Sequence, residues 1–135
     1  MIFLRAGALF AALGVIAGAF GSHLLEDVLT VDRLATFEVA VRYQMYHALA
    51  LVGIGFSRQS MNYRASGYLF IAGILVFSGS LYLLTLTDTS WLGAVTPLGG
   101  VCFIAGWGFL LFKTLGTGTQ SQTTSSSSND RDMLG

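Results

Sequence analysis

Four long apolar runs leave this chain almost no way to fold in water. The first covers residues 2–21 and is broken only by Arg5; the others cover 39–56, 65–86 and 97–112. A bilayer core about 30 Å thick takes roughly 20 helical residues to cross. Three runs meet that length, and the fourth reaches it with its flanks 94–96 and 113–114. All four are apolar on every face instead of alternating, which argues against the strands of a membrane barrel. A soluble fold would need charge to cover its core. Only 10% of the 135 residues are charged, against roughly 25% in an average soluble domain. The expectation is an all-α, integral membrane four-helix bundle.

Local chemistry sets the expected boundaries. Between the first two runs lies "SHLLEDVLTVDRLATFE", which holds four of the seven acidic residues. Its Leu24, Leu25, Val28, Leu29 and Val31 recur at near-helical spacing, so a short amphipathic helix lying at the membrane surface is expected here. "SRQSMNYR" reads as a short turn, and "TDTSWLG" carries Trp91, a natural anchor at the membrane–water boundary. Thr96 reads as an N-cap with Pro97 in the first helical position. The transmembrane domain is thus assigned to residues 1–114. Residues 115–135, low in complexity and rich in Ser and Thr, are expected to be a disordered tail.

With four spans, Arg5, Arg58, Arg64, Lys113 and Arg131 fall on one side of the membrane and Arg33 and Arg42 on the other. Basic residues favour the inner side, so both termini are expected inside. The localisation expected is the bacterial plasma membrane, or an organellar inner membrane in a eukaryote. A cleaved signal peptide is the competing reading of the first run, since Ala17, Gly18 and Ala19 resemble a cleavage site. The run is longer than a usual signal core, and a single positive charge precedes it.

Small residues mark the seams. Gly7, Ala11, Gly14 and Gly18, with Gly21 or Ser22, share one face of the first run, and Gly14 and Gly18 form a GxxxG. Such faces let helices approach closely where lipid removes any hydrophobic drive between them. Packing within the chain is the expected use, and a homodimer face the alternative. The single Cys102 sits in an apolar run and reads as an inert buried thiol.

One segment is too polar for its position. "VRYQMYHALALVGIG", residues 41–55, opens with Arg42, Tyr43, Gln44, Tyr46 and His47 before turning apolar. Glu38 and Arg42 are four apart with the acid first, the better order for an ion pair on a helix. Tyr46 follows on nearly the same face, and Tyr43 and His47 pair one strip over. Polar groups at this depth usually face a bundle interior and find partners there. His23, at the end of the first run, lies on the same side. His23, Glu38, Arg42, Tyr43, Tyr46 and His47 are therefore expected to form one polar cluster at the outer mouth of the bundle, either structural or ligand-binding.

"GAFGSH" at 18–23, "AVRYQMYHALAL" at 40–51, "LVFSGSLYLL" at 75–84 and "TPLGGVCFIAGW" at 96–107 together resemble the domain-of-unknown-function 423 family. These are small membrane proteins of bacteria and, as transmembrane protein 256, of animals. The resemblance covers about residues 1–113 and implies a four-helix membrane protein with no established activity. Ser22 and Leu24 stand where the family pattern suggests Ala and Gly, and the Ser/Thr tail lies outside the pattern.

Motifs for hydrolysis, phosphate binding and structural zinc are absent from the sequence. Neither an enzyme nor a cofactor or metal site is expected, and axial haem ligation by His23 and His47 is disfavoured by their unequal depth. Zero net charge offers no basis for nucleic-acid binding. The expected partners are the bilayer and either further copies or a larger membrane complex. The function expected is that of a structural, accessory or oligomerising membrane component. A small transporter or permeation element using Glu38, Arg42 and His47, and a lipid- or quinone-binding protein, are the alternatives.

Overall fold

The computed structural model describes residues 1–57 and 63–118, and all regular structure among them is helical. Helix α1 (Ile2–Ile16) passes through a π-helical stretch, Ala17–Gly21, into the short α2 (Ser22–Leu25). Helix α3 runs Val31–Phe56. Helix α4 (Arg64–Gly73) passes through a second π-helical stretch, Ile74–Ser78, into α5 (Gly79–Thr87), and α6 runs Leu92–Gly118.

Among the described residues, three helical segments are long and apolar enough to cross a membrane: Ile2–Leu25, Arg64–Thr87 and Leu92–Leu115, each 24 residues. At 1.5 Å per residue each is about 36 Å long. Four such spans were expected. The exception is α3, which has the length at 26 residues but carries Asp32, Arg33, Glu38 and Arg42 in its first half and Gln44 and His47 near its centre. Those side chains dilute its hydropathy.

Two expected boundaries move for identifiable reasons. The separate surface helix is not formed. Ser22–Leu25 continues the first helix, and Thr30 begins the next by accepting a hydrogen bond at Oγ1 from the Arg33 N–H at 3.4 Å. Asp32 in the first turn complements the helix dipole, so α3 starts well before residue 39. Thr96 and Pro97 likewise lie inside α6 instead of beginning it. The helix starts at Leu92 on short i→i−3 bonds to Thr89, Ser90 and Trp91. Pro97 is tolerated because it sits close to the N-terminus, where few intrahelical bonds depend on it. At the other end α6 extends to Gly118, past the expected domain boundary at 114; the rest of the expected tail, 119–135, lies outside the described residues, as do 58–62 of the second joint.

Helix α3 is the hub, with α1 packed along one side and α4, the second π stretch and α5 along another; α6 packs on α4 and α5. The α1–α3 seam is the most extensive, and it is close-packed. A Cβ on Gly7 would stand 2.7 Å from the Ala48 carbonyl oxygen and 2.8 Å from the Val52 nitrogen, and one on Gly55 would stand 2.6 Å from the Leu4 nitrogen. Backbone meets backbone there, which only glycine permits. Gly14, Gly18 and Gly21 face the same helix, against Met45, Val41 and the Phe37 ring. The apolar core is Phe3, Leu51, Ile54, Phe70, Ile74 and Phe103.

Candidate functional site

Helical register divides the polar residues of α3 into two sets. Phe37, Ala40, Gln44, His47, Ala48 and Leu51 are buried. Glu38, Arg42 and Tyr46, spaced by four, share the opposite stripe and are exposed. The expected single cluster is therefore not what the fold builds. Glu38 and Arg42 make no ion pair with each other, and His23 is exposed and makes no hydrogen bond to any of the other five. Tyr43 and His47 do come together, with Tyr43 lying against Phe77 at 4.7 Å between ring centroids.

His47 is the most enclosed of the expected residues, at 5% exposure. Its ring stacks on Phe103, with centroids 3.5 Å apart and planes 9° from parallel, and lies 5.4 Å from Phe70. Nδ1 is 2.7 Å from the Tyr43 carbonyl oxygen, and Nε2 is 3.2 Å from the Trp107 indole nitrogen. An indole N–H can only donate, so Nε2 accepts and Nδ1 carries the proton. Both ring nitrogens are thereby used, which leaves no lone pair free for a metal or haem. Among the described residues no group of three or more His, Cys, Asp or Glu side chains is placed to hold a metal ion.

Gln44, three residues earlier on the same stripe, joins three helices. Its Nε2 donates to the Phe10 carbonyl of α1 at 2.8 Å, and its Oε1 accepts from the Tyr82 hydroxyl of α5 at 2.9 Å. Ser78, fully buried in the second π stretch, donates to the Ala40 carbonyl of α3 at 2.9 Å. Ser80 and Thr96 join α5 to α6 at 2.8 Å. These bonds span three seams: α1–α3, α3 with the α4–α5 segment (twice), and α5–α6. Inside a membrane such bonds contribute on average about 0.6 kcal/mol each, and at most roughly 1.7.

Sequence reasoning selected His47 but passed over Gln44, Tyr82, Ser78 and Trp107. The available signal was register: Gln44 and His47 fall on the stripe of Phe37, Ala40 and Leu51, whereas Glu38 and Arg42 do not. Arg33 was also passed over. Its guanidinium Nη2 donates to the Thr85 carbonyl near the end of α5, and Nη1 lies 3.8 Å from Asp88 Oδ1. Asp88 ends α5 in the left-handed conformation, at φ 57°. A cation against the final carbonyls of a helix satisfies orphan acceptors and complements the dipole. Arg33 thus fastens the start of α3 to the end of α5.

Two cavities border α3. One of about 300 Å³ lies between α3 and α6 and is lined by Ala50, Gly53, Ile54 and Trp107 among others. The second, about 290 Å³, lies where α1 diverges from the α4–α5 segment, with Gln44 and Tyr82 among its walls.

A family profile described as "Protein of unknown function (DUF423)" matches residues 17–100. A UPF0382 membrane protein of Staphylococcus epidermidis is 48% identical over 116 residues, 84% of this chain and 95% of its own. The UPF0382 membrane protein YwdK of Bacillus subtilis is 44% identical over 110 residues, 78% of this chain and 89% of its own. No solved structure matches. The profile covers more than half of the chain and the relatives about four fifths of it, so this all-helical, multi-pass membrane protein belongs to the DUF423 family.

Proposed function

We propose that the chain is a four-span membrane protein with both termini on the inner side, acting as a structural or accessory component that packs within a larger membrane assembly or with further copies of itself. The observation that carries this reading is the use made of the interior polar groups. Gln44, Tyr82, Ser78, His47 and Trp107 hold helices to one another, while Glu38 and Arg42 face outward. A permeation path would call for the reverse, with charge turned inward and unpaired.

The fourth span in this reading is α3. It lies alongside α1 from Gly55 against Leu4 to Phe37 against Gly21, a rise of about 27 Å. Arg42 is then five residues, about 8 Å, inside the Phe37 level, a depth from which a long basic side chain can reach the headgroups. The inner placement of both termini rests on the five-to-two division of basic residues.

Affinity purification of the tagged full chain in mild detergent, with identification of co-eluting proteins and of mass by light scattering, tests the role. A discrete hetero-complex or homo-oligomer is the expected result. A partner-free monomer whose reconstitution makes vesicles permeable to a solute would replace this reading with the permeation element.

A further inference from the structure

The cavity between α1 and the α4–α5 segment has a construction that helix fastening alone does not require. Its apolar wall is Phe10, Leu13, Ala17, Ile74 and Leu75, and its polar wall is Gln44 and Tyr82. Leu13 and Leu75 are exposed at its rim, so it opens on the lipid-facing surface. Gly79 completes the lining, and a Cβ there would meet no atom within 4 Å. The space at Gly79 is therefore kept open although no neighbouring backbone demands it. Both π-helical stretches also reach the lining, through Ala17 in one and Ile74 and Leu75 in the other, and interruptions of this type are frequent at functional sites.

The chemistry of the polar wall selects the ligand. A Gln amide nitrogen carries two N–H groups. One goes to the Phe10 carbonyl, and the other has no protein acceptor, although the residue is 95% buried. An unused donor in a dry wall favours a carbonyl oxygen. Depth decides between sources of that carbonyl. Gln44 lies seven residues, about 10 Å, further along α3 than Phe37. In the four-span placement this is well below the headgroup region, where glycerol esters sit, and an acyl chain offers no acceptor there. The volume, about 290 Å³, is roughly twice that of an apolar cavity that holds one benzene molecule. It suits one substituted six-membered ring whose tail leaves between Leu13 and Leu75.

We infer that this cavity binds the ring of a quinone-class lipid, with a ring carbonyl accepting the free Gln44 N–H and the tail lying in the bilayer. The inference rests on α3 being a span. It does not depend on the accessory role, because bound ring and subunit composition are measured separately.

The test uses the purified full chain in dioleoylphosphatidylcholine nanodiscs, with decylbenzoquinone as probe and decylbenzene as its carbonyl-free counterpart. Thermal unfolding is followed against probe concentration. The wild type is expected to show a saturable rise in Tm with decylbenzoquinone and a much smaller one with decylbenzene. Gln44→Leu should weaken the apparent affinity about tenfold, the effect of one lost hydrogen bond. Gly79→Leu fills the cavity and should abolish the response. Gly53→Leu, which fills the other cavity at a position equally open, should leave it intact. If Gly79→Leu does not fold, Gly79→Ala should still give a measurable loss. Equal responses to the two probes, an undiminished response in the Gly79 variants, or no saturable response in the wild type would each overturn the assignment. So would retention of a phospholipid by the wild type that Gly79→Leu loses, since the cavity would then hold an acyl chain. Oligomeric state measured on the same samples shows separately whether the accessory reading survives.

Discussion

The seam between α1 and α3 and the much narrower meeting of α3 with α6 hold their helices by opposite means. Along the first, Gly7 and Gly55 bring the two backbones into direct contact. No volume is spare, and specificity comes from what is missing, namely side chains. Along the second, His47 lies flat on Phe103 and is hydrogen-bonded to Trp107, with a cavity of about 300 Å³ beside it. Specificity there comes from complementary polar groups and ring geometry. A seam of the first kind should fail abruptly when anything is added. One of the second kind should lose stability in steps as groups are removed.

The largest effect is expected from enlarging Gly7. Gly7→Leu would drive a side chain into the Ala48 carbonyl and the Val52 nitrogen, where no rotamer change can give relief. Overpacking typically costs about 1–3 kcal/mol, and more where backbone must move. Gly7→Leu should therefore abolish recovery of monodisperse protein in detergent. Gly18→Leu, which meets only the Val41 side chain at 3.2 Å, should yield folded protein with a lower Tm. Equal tolerance at both positions would break the distinction between the seams.

A middle-sized effect belongs to the stacked pair. His47→Ala removes a buried ring and leaves the Trp107 N–H without its acceptor, an expected loss of about 2–4 kcal/mol. Trp107→Phe should cost less, since it keeps an aromatic ring beside Phe70, 5.0 Å away in the wild type. The double-mutant cycle should show coupling of about 0.6 kcal/mol, the average for such bonds in membranes, and no more than roughly 1.7. Strict additivity would mean that the hydrogen bond contributes nothing and ring packing everything.

The smallest effect should come from Glu38 and Arg42. Both are exposed and unpaired with each other. Glu38→Gln and Arg42→Gln, singly or together, should change unfolding stability by no more than about 0.5 kcal/mol, as is usual for surface positions. A non-additive loss larger than that would restore the ion pair expected from their spacing and place both residues in the interior.

The expected polar cluster illustrates how far residue chemistry alone can lead. Its members were grouped by polarity and closeness in sequence, and the helix then turned Glu38, Arg42 and Tyr46 one way and His47 the other. Register within α3 was readable, because Phe37, Ala40, Gln44, Ala48 and Leu51 mark the buried stripe at helical spacing. The partners were not. Nothing local to Gln44 points to the Phe10 carbonyl or to Tyr82, which lie 34 and 38 residues away in the chain. The α3 boundary was also legible in part, since Thr30 and Asp32 together form a helix start, yet the apolar spacing of 24–31 outweighed them.

Composition and run length alone determined that this protein is helical and belongs in a membrane. In lipid every backbone polar group must be satisfied within its own segment, which leaves a long apolar run little choice but a helix. The tertiary structure alone decided which side chains meet: that Gly7 and Gly55, more than Gly14 and Gly18, set the approach of α1 to α3; that Arg33 caps α5; and that Gln44 joins three helices beside an open cavity. Those outcomes depend on how the helices rotate and slide against one another. That choice is made by the fit of two surfaces, and neither surface is written in a single stretch of sequence.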